Sequence, residues 1–369
     1  MGFHIVKREN CPLWKKALFY AIAILAALLI GGVILFAIGV NPIDYYTRMF
    51  TLGTIGNKYA YKAYVNYLKE FVPLVLTSVA LSLAFKMRFW NIGGEGQFIM
   101  GALAASAVAI LLGPSLPSVV VLILMCLAAM LAAGLYGLLV AALKVKFGTN
   151  ETLLTLMLNY IALYLLIFLM GTKAPWNFFL DPSALRPVPL KHPESAMFAT
   201  IPLIGRFELN VCVIFTFIIG VLIHFYLKRT KQGYEINVVG DSAGTARYAG
   251  MKVNKIVLRT VFLSACLIGL AAAFKMGTVG AMSTSITNDV GWTGIIVAWL
   301  AQLNTVAIFI VSALISVLHY GSSIAATTFK QVDSSFANML QGFILFLVLA
   351  SDFMIRFRIV RTKKEGSNG

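Results

Sequence analysis

Long uncharged apolar stretches dominate this sequence. The first, residues 17–40, contains 24 consecutive residues without a charged side chain, and similar stretches recur along the 369 residues. A helix needs about 20 apolar residues to cross the hydrocarbon core of a bilayer. Hydrophobic residues make up 60% of the chain and charged residues 12%, whereas about a quarter of the residues in a soluble domain are charged. The sequence therefore predicts an integral membrane protein.

Ten crossings account for the whole pattern. Six stretches are long enough to span alone, namely residues 17–40, 119–143, 153–171, 211–227, 256–274 and 336–355. Two pairs of shorter stretches, 71–85 with 98–112 and 293–303 with 305–320, indicate short or broken helices. We therefore expect an all-α, polytopic transmembrane protein of about ten spans, built as one transmembrane domain over residues 1–369.

Basic residues predict the orientation of these spans. Ten crossings place both termini on the same side, and the excess of Lys and Arg in cytoplasmic loops identifies that side as the cytoplasm. This topology places twenty of the thirty basic residues inside and ten outside. The predicted cytoplasmic parts are the N-terminus (1–16), a loop (228–255) and the C-terminal tail (356–369). Residues 172–208 contain six prolines and are predicted to be an irregular external loop, either solvated or in contact with a partner.

A polar segment interrupts the apolar pattern before residue 98. It consists of Asn91, Ile92, Gly93, Gly94, Glu95, Gly96 and Gln97. Irregular backbone at membrane depth persists only where it is buried in protein or lines a wet cavity. One interpretation is a helix break beside a translocation path, with Glu95 held by backbone or neighbouring-subunit donors. The other is that Glu95 caps a helix N-terminus at a cytoplasmic turn, and the two are compatible.

An amide lies in the middle of the stretch 153–171. Asn159 either forms a hydrogen bond between helices, the commoner role of such amides, or contacts a transported solute. We group Asn159 with the polar segment as a candidate part of the translocation path.

The predicted cytoplasmic loop carries the signals of a short helix. Asp241 or Ser242 can cap a helix over residues 243–249, and Gly250 can end that helix in a left-handed turn. This two-turn helix would carry an arginine and a tyrosine away from the membrane, a pair suited to docking into a cytoplasmic partner. A solvated loop is the alternative.

Other classes of protein are not indicated. The four cysteines and four histidines are scattered, so we predict no metal site and no cofactor. The dipeptide Gly-Lys does not occur, which excludes a phosphate-cradling nucleotide loop, and no catalytic residue is predicted. The net charge of +16 comes from basic residues at span ends, so membrane lipids and not nucleic acid are the expected surroundings.

Four groups of residues resemble the permease subunits of bacterial ATP-binding-cassette (ABC) importers of the branched-chain amino acid, ribose and nucleoside type. The groups are residues 89–97 with 101–105; Asn150 and Glu151 leading into 156–162; Gly240 with Ala246, Arg247, Tyr248, Ala249, Gly250 and Met251; and residues 291–301 followed by Asn304. They occur in the order of the family, cover roughly residues 65–355, and are most similar to the nucleoside (simple sugar) branch. Trp90 and residues 302–305 depart from the family pattern.

The resemblance implies a permease of an ATP-driven importer in the bacterial cell membrane. It implies that a separate cytoplasmic ATPase hydrolyses ATP, and that an external substrate-binding lipoprotein delivers the solute. A second permease subunit would complete the path, and the motif ending Glu-Gly-Gln resembles one of two distinct permeases that pair as a heterodimer. The polar segment and Asn159 would then belong to the path, and the group from Gly240 to Gly250 would contact the ATPase.

Nucleosides are the solutes that the resemblance implies first, and simple sugars or branched-chain amino acids are alternatives. An ion-coupled secondary transporter is a competing class, but such transporters usually show inverted repeats and ionisable residues deep in their spans. A structural membrane subunit without transport is the remaining alternative.

Overall fold

The computed structural model describes residues 2–7, 12–55, 59–204, 207–333 and 335–362. Side chains are described for these residues except at 2–7, 13, 16, 17, 203, 204, 352 and 356–362. The helices are α1 (Leu13–Ala37), α2 (Pro42–Phe50), α3 (Ala60–Lys86), α4 (Gly94–Leu112), α5 (Ser118–Phe147), α6 (Glu151–Gly171), α7 (Val211–Arg229), α8 (Lys231–Asp241), α9 (Ala243–Tyr248), α10 (Val253–Val279), α11 (Val290–Leu300), α12 (Thr305–Thr328) and α13 (Phe336–Arg356). The strands are β1 (Gly2–Lys7), β2 (Thr200–Ile204), β3 (Phe207–Asn210) and β4 (Phe357–Thr362).

Long apolar helices confirm the predicted all-α, polytopic class. Within the described ranges, nine helices are long and apolar enough to cross a membrane: α1, α3, α4, α5, α6, α7, α10, α12 and α13. The predicted short helix before Asn304 is α11, whose 11 residues rise about 16 Å, roughly half of a bilayer core. The prediction that residues 71–85 and 98–112 form short helices is wrong. Both belong to full-length helices, because α3 continues through charged residues that ended the apolar pattern.

The first compact unit comprises residues 1–58 and 317–369. In it α1 packs along α13, and α2 follows α1 after a turn in which the Asn41 side chain accepts a hydrogen bond from the Ile43 N–H. The Tyr45 hydroxyl is hydrogen-bonded to the Ser322 hydroxyl at 2.7 Å. Strands β1 and β4 pair antiparallel along their whole length, so the backbone near the two ends of the chain lies together.

The second unit comprises residues 59–316, and α3 forms its centre. Helices α10 and α11 pack directly on α3, while α4 and α5 pack against α10. Small residues let these helices approach closely. A Cβ atom on Gly101 of α4, for example, would lie 2.8 Å from the Cα of Gly269 of α10. Helix α3 runs from Ala60 to Lys86, so we call the two ends of this unit the Ala60 end and the Lys86 end.

The connection between α6 and α7 is largely irregular, as its prolines predict, but it is packed and not merely solvated. It contains one 3₁₀ turn (Glu194–Ala196) and the hairpin β2–β3, which was not predicted. The Ser195 hydroxyl donates to the carbonyl of Gly113 after α4, and the His192 N–H donates to the carbonyl of Gly280 after α10. These contacts fix the loop on the Ala60 end of the second unit.

Candidate functional site

Helix α4 begins inside the second unit and not at its end. The Ile92 N–H donates to the Thr155 hydroxyl at 3.2 Å, and the Asn159 amide donates to the Ile92 carbonyl at 2.9 Å. Asn159 lies eight residues after Glu151, the first residue of α6, which corresponds to about 12 Å of helix. The connection from α3 to α4 therefore returns into the unit by about two helical turns.

The residues predicted for the path come together in this connection. Asn91, Gly93, Gly94, Glu95, Gly96, Gln97 and Asn159 are all buried. The side-chain amides of Asn91 and Gln97 donate to each other at 3.2 and 3.1 Å, and Asn91 also accepts from the Gly93 N–H. The Gly96 N–H donates to Asn159 Oδ1 at 2.8 Å. The amides thus satisfy backbone groups where α4 starts, which is the hydrogen bonding between segments that sequence reasoning weighed for Asn159.

Glu95 caps a helix, but that helix is α11. Glu95 Oε2 accepts a hydrogen bond from the Gly291 N–H at 2.8 Å, and the Thr287 side chain and the Trp292 N–H also hydrogen-bond to this carboxylate. The first N–H groups of a helix lack partners within the helix, and its dipole favours a negative charge there. The expected cap at a cytoplasmic turn is therefore replaced by a cap inside the unit, 196 residues away in sequence.

The fit between α4 and α11 requires a glycine. A Cβ atom on Gly291 would lie 2.2 Å from the backbone nitrogen of Glu95, closer than any real contact. Backbone atoms cannot swing aside as a flexible side chain can. We call this contact of Glu95 with the start of α11 the α4–α11 junction.

Helix α11 forms the helical half of a broken crossing. Its far end lies at the Lys86 end, where the Trp299 ring stacks on Trp90 with centroids 5.4 Å apart and packs 5.7 Å from Phe85. Helix α10 finishes near the opposite end, so residues 280–289 must return into the unit without helical structure. Left-handed backbone flanks α11 on both sides, at positions 288 and 289 and at positions 302 and 303.

One face of α11 was not recognised from the sequence. Trp292 and Trp299 are each 36% exposed, and Ile295 and Ile296 between them are half-buried. The two tryptophans are seven residues apart, so they lie on the same side of the helix. That spacing was the signal available in the sequence.

The short helix predicted over 243–249 is confirmed as α9. The Ser242 hydroxyl accepts from the Thr245 N–H at 3.2 Å, so serine and not Asp241 is the cap. Gly250 has a φ of +77°, the left-handed conformation expected at this helix end. Ala246 is fully buried, whereas Tyr248 is 97% exposed. Arg247 and Ala249 are also exposed, so α9 presents the predicted arginine and tyrosine outward.

Helix α9 is attached to α3 through α8, which sequence reasoning missed. A Cβ atom on Gly240 of α8 would lie 2.0 Å from the carbonyl oxygen of Lys86, so this position must be glycine. Glu235 of α8 pairs with Arg259 of α10 at 3.1 Å. A cavity of about 550 Å³ lies between α9, α8 and the segment that follows Lys86. In the group Gly240, Ala246, Arg247, Tyr248, Ala249 and Gly250, the last four are exposed, whereas Gly240 and Ala246 are buried and anchor the group at the Lys86 end.

In the described part of the chain, nine long apolar helices and a broken crossing at α11 are typical of a polytopic membrane permease. The chain belongs to the family of permease components of branched-chain amino acid transport systems, whose family model matches residues 63–349. The resemblance found in the sequence is confirmed. The chain is a permease subunit of an ABC importer and a multi-pass protein of the cell membrane, and it is not itself the ATPase. Such permeases generally work with an ATPase and a substrate-binding partner.

Similar proteins include both sugar and nucleoside permeases. The glucose ABC transporter permease TsgB13 of Haloferax volcanii is 29% identical, covering 95% of this chain and 92% of its own length. The guanosine ABC transporter permease NupP of Bacillus subtilis is 28% identical, covering 94% and 97% respectively. The nucleoside ABC transporter permease NupB of Lactococcus lactis is 26% identical, covering 95% and 94%.

Proposed function

We propose that this permease forms part of the translocation path for a nucleoside, together with a second, distinct permease subunit. Two of the similar proteins carry nucleosides in their names, for guanosine and for nucleosides in general. A simple sugar is the second candidate, because the glucose permease is similar over an equal share of the chain. A separate cytoplasmic ATPase drives the path, and an external binding protein supplies the solute.

The broken crossing at α11 is the observation that carries the proposed path. Irregular backbone is tolerated at membrane depth only where protein buries it or where it lines a wet cavity. The exposed face with Trp292 and Trp299 therefore borders the path, and aromatic rings there can stack on a nucleobase or a sugar ring. Glu95 and Asn159 act behind this face and do not touch the solute: Glu95 holds the start of α11, and Asn159 holds the start of α4.

Helix α9 is the proposed docking element for the ATPase. Movement at Arg247 and Tyr248 would reach α3 through the contact of Gly240 with Lys86. Only the segment 87–93 separates the end of α3 from the start of α4. This short connection is suited to passing ATPase closure to the α4–α11 junction.

The proposed orientation keeps both termini cytoplasmic, residues 172–208 outside and the loop 228–255 inside. The pairing of β1 with β4 supports a common side for the termini, since it joins the two ends of the first unit. Counting the broken crossing gives ten crossings, an even number. Leu185 is fully exposed, so a single cysteine there in a chain without other cysteines should react with an impermeant maleimide from outside intact cells. Reaction only after the membrane is opened would show that residues 172–208 face the cytoplasm, opposite to the proposed orientation.

Uptake into proteoliposomes tests the proposed function. The permease, its permease partner, the ATPase and the binding protein are reconstituted, and uptake of guanosine, glucose and leucine is measured with and without ATP. We expect ATP-dependent uptake of guanosine and little of the other two, and none with an ATPase variant that cannot hydrolyse ATP. Uptake of glucose alone would show that the transported solute is a sugar and not a nucleoside. Uptake driven by an ion gradient without ATP would contradict the whole assignment.

The docking role of α9 has its own test. Truncating each of Arg247 and Tyr248 to Ala should cost on the order of 1–2 kcal/mol or more in ATPase binding. The double variant should insert normally but lose co-purification with the ATPase. Lys173→Ala with Trp176→Ala is the matched control, because it removes an exposed basic and aromatic pair from the proposed external side. Wild-type ATPase binding and uptake in the α9 double variant would refute this role.

A further inference from the structure

A cavity of about 410 Å³ lies near the Ala60 end of the second unit. Its walls come from the first half of α3, the hairpin β2–β3 with the segment before it, the start of α7 and the last turns of α10. Small-molecule sites in proteins have volumes of about 300–1,000 Å³. The cavity is therefore large enough for one small solute, and it is distinct from the α4–α11 junction.

A proline inside α3 leaves a polar backbone group at this cavity. Pro73 has no backbone N–H, so the carbonyl of Lys69, four residues earlier, lacks its helical partner. The ammonium of Lys275 donates to that carbonyl at 3.4 Å and to Glu70 Oε1 at 2.7 Å. Lys275 is 7% exposed in its side chain and lines the cavity.

The Lys275 ammonium keeps hydrogen-bonding capacity for a ligand. An ammonium has three N–H donors, and these two acceptors are its partners in the described part of the chain. Its charge is balanced by Glu70, so the pair presents a donor without a net charge. The hydroxyl of a solute can accept from that donor, and Lys62, Lys69 and Glu208 add further charged groups to the lining.

Aromatic rings also line the cavity. Phe198 and Phe274 meet edge to face with centroids 5.4 Å apart, and Tyr61 lies on the α3 side. Asn66 and Asn210 add amides to the lining. The charged and amide groups in the lining disfavour a lipid acyl chain, which needs a uniformly apolar groove. A solute with one flat ring and several hydroxyls matches this mixed lining.

We propose that this cavity is a solute subsite of the permease itself, in which a nucleoside rests between its external carrier and the α11 path. The flat base packs against the phenylalanine wall, and the ribose hydroxyls accept from Lys275 and meet the asparagines. The inference rests on the proposed function and adds to it a second place where the solute touches this chain.

Photolabelling locates the subsite. The assembled complex in proteoliposomes, without its binding protein, is irradiated with a photoreactive azido-purine nucleoside, and the labelled peptides are identified by mass spectrometry. We expect label in peptides containing residues 61–73 or 197–213, suppressed by an excess of unmodified nucleoside. Competable label confined to other peptides of the permease would overturn the subsite.

A pair of variants two residues apart on α3 sharpens the test. Asn66→Trp fills the cavity and should reduce labelling at least tenfold and raise the KM of uptake several-fold, with an intact complex. Tyr64→Trp is the control, since Tyr64 is exposed on the same helix but does not line the cavity. If N66W does not assemble, Asn66→Leu removes the amide at nearly constant volume and should weaken labelling in the same direction.

The outcomes separate this inference from the proposed function. Uptake of guanosine by the wild-type complex is measured first. If uptake occurs and N66W or N66L labels like wild type, the subsite is wrong while the proposed function stands. If the wild-type complex takes up no nucleoside in the presence of its binding protein, the proposed function fails and the nucleoside subsite fails with it.

Discussion

The two halves of α3 are built in opposite ways. From Phe71 to Phe85 every residue is buried, and the polar groups beside this half bond to one another at the α4–α11 junction. From Ala60 to Glu70 only Ala63 is buried, and the helix lines a cavity. Pro73 lies close to the boundary. The difference suggests that one half is a fixed support for the path and the other leaves room for a ligand.

Buried polar groups also find different kinds of partners beside the two halves of α3. At the junction, backbone N–H groups, amides and one carboxylate pair at short range, and glycine makes the approach possible. At the cavity, a lysine and a glutamate pair across α3 and α10, and the lysine also serves the carbonyl that proline leaves free. Closely matched partners make the first region intolerant of added volume, whereas the second should tolerate volume but not a lost charge.

The largest effect is expected at the junction. Gly291→Val places atoms against the Glu95 backbone, where nothing can move aside, so we expect loss of uptake and a large fall in thermal stability. Gly342→Val is the control, because no atom lies within 4 Å of a Cβ at that position of α13. Size-exclusion profiles of heated fluorescent fusions, together with uptake, measure both effects. A G291V protein as stable and active as G342V would show that the junction is not rigid.

The ion pair at the cavity gives the next effect. Lys275→Met leaves Glu70 without its partner, and breaking a buried pair costs about 3–5 kcal/mol. The lower end applies here because Glu70 is 29% exposed. The double variant Lys275→Met with Glu70→Gln should recover most of the lost stability, since no unpaired charge remains. Equal stability of the single and double variants would mean that the pair does not hold this half of α3.

Acid should weaken the Ala60 end through His192. Burial lowers the pKa of His192 from 6.5 to about 4, and its Nε2 lies 2.8 Å from the Ser106 hydroxyl of α4. A folded pKa below the unfolded one means that stability is complete above pH 6.5 and is lost as the pH falls toward 4. The loss should reach about 3 kcal/mol, from 1.36 kcal/mol per pKa unit. Melting temperatures of wild type and His192→Gln between pH 7.5 and 4.5 test this, and an unchanged slope in the variant would exclude His192.

The smallest effect concerns charge at the junction. Glu95→Gln keeps an acceptor oxygen for the Gly291 N–H but removes the charge that the α11 dipole favours, worth about 1–2 kcal/mol in a buried geometry. We expect normal expression and assembly with reduced uptake. Glu194→Gln in the exposed loop is the control. Wild-type uptake by E95Q would show that the charge of Glu95 is not needed and that the close approach at Gly291 alone defines the junction.

Local signals explain what the sequence could predict. The uncharged stretches predicted the long helices, because a helix needs about 20 apolar residues in a row to cross a bilayer. The caps of α9 depend on neighbours within three or four residues, so the sequence predicted Gly250 and limited the N-cap to Asp241 or Ser242; the structure shows that it is Ser242. Helix α8 was missed because it is short and largely polar, and its packing depends on distant residues, such as Lys86 against Gly240 and Arg259 against Glu235.

The sequence by itself determined the membrane class, the positions of most spans, the polar segment 91–97 and the short helix that ends at Gly250. Only the tertiary structure decided which helix Glu95 caps, which lysine donates to the carbonyl freed by Pro73, and that residues 280–289 return into the second unit without helical structure before α11. Hydropathy and capping are properties of neighbouring residues. The pairing of Glu95 with Gly291 and of Glu70 with Lys275 joins residues 196 and 205 positions apart, so it exists only once the helices have packed.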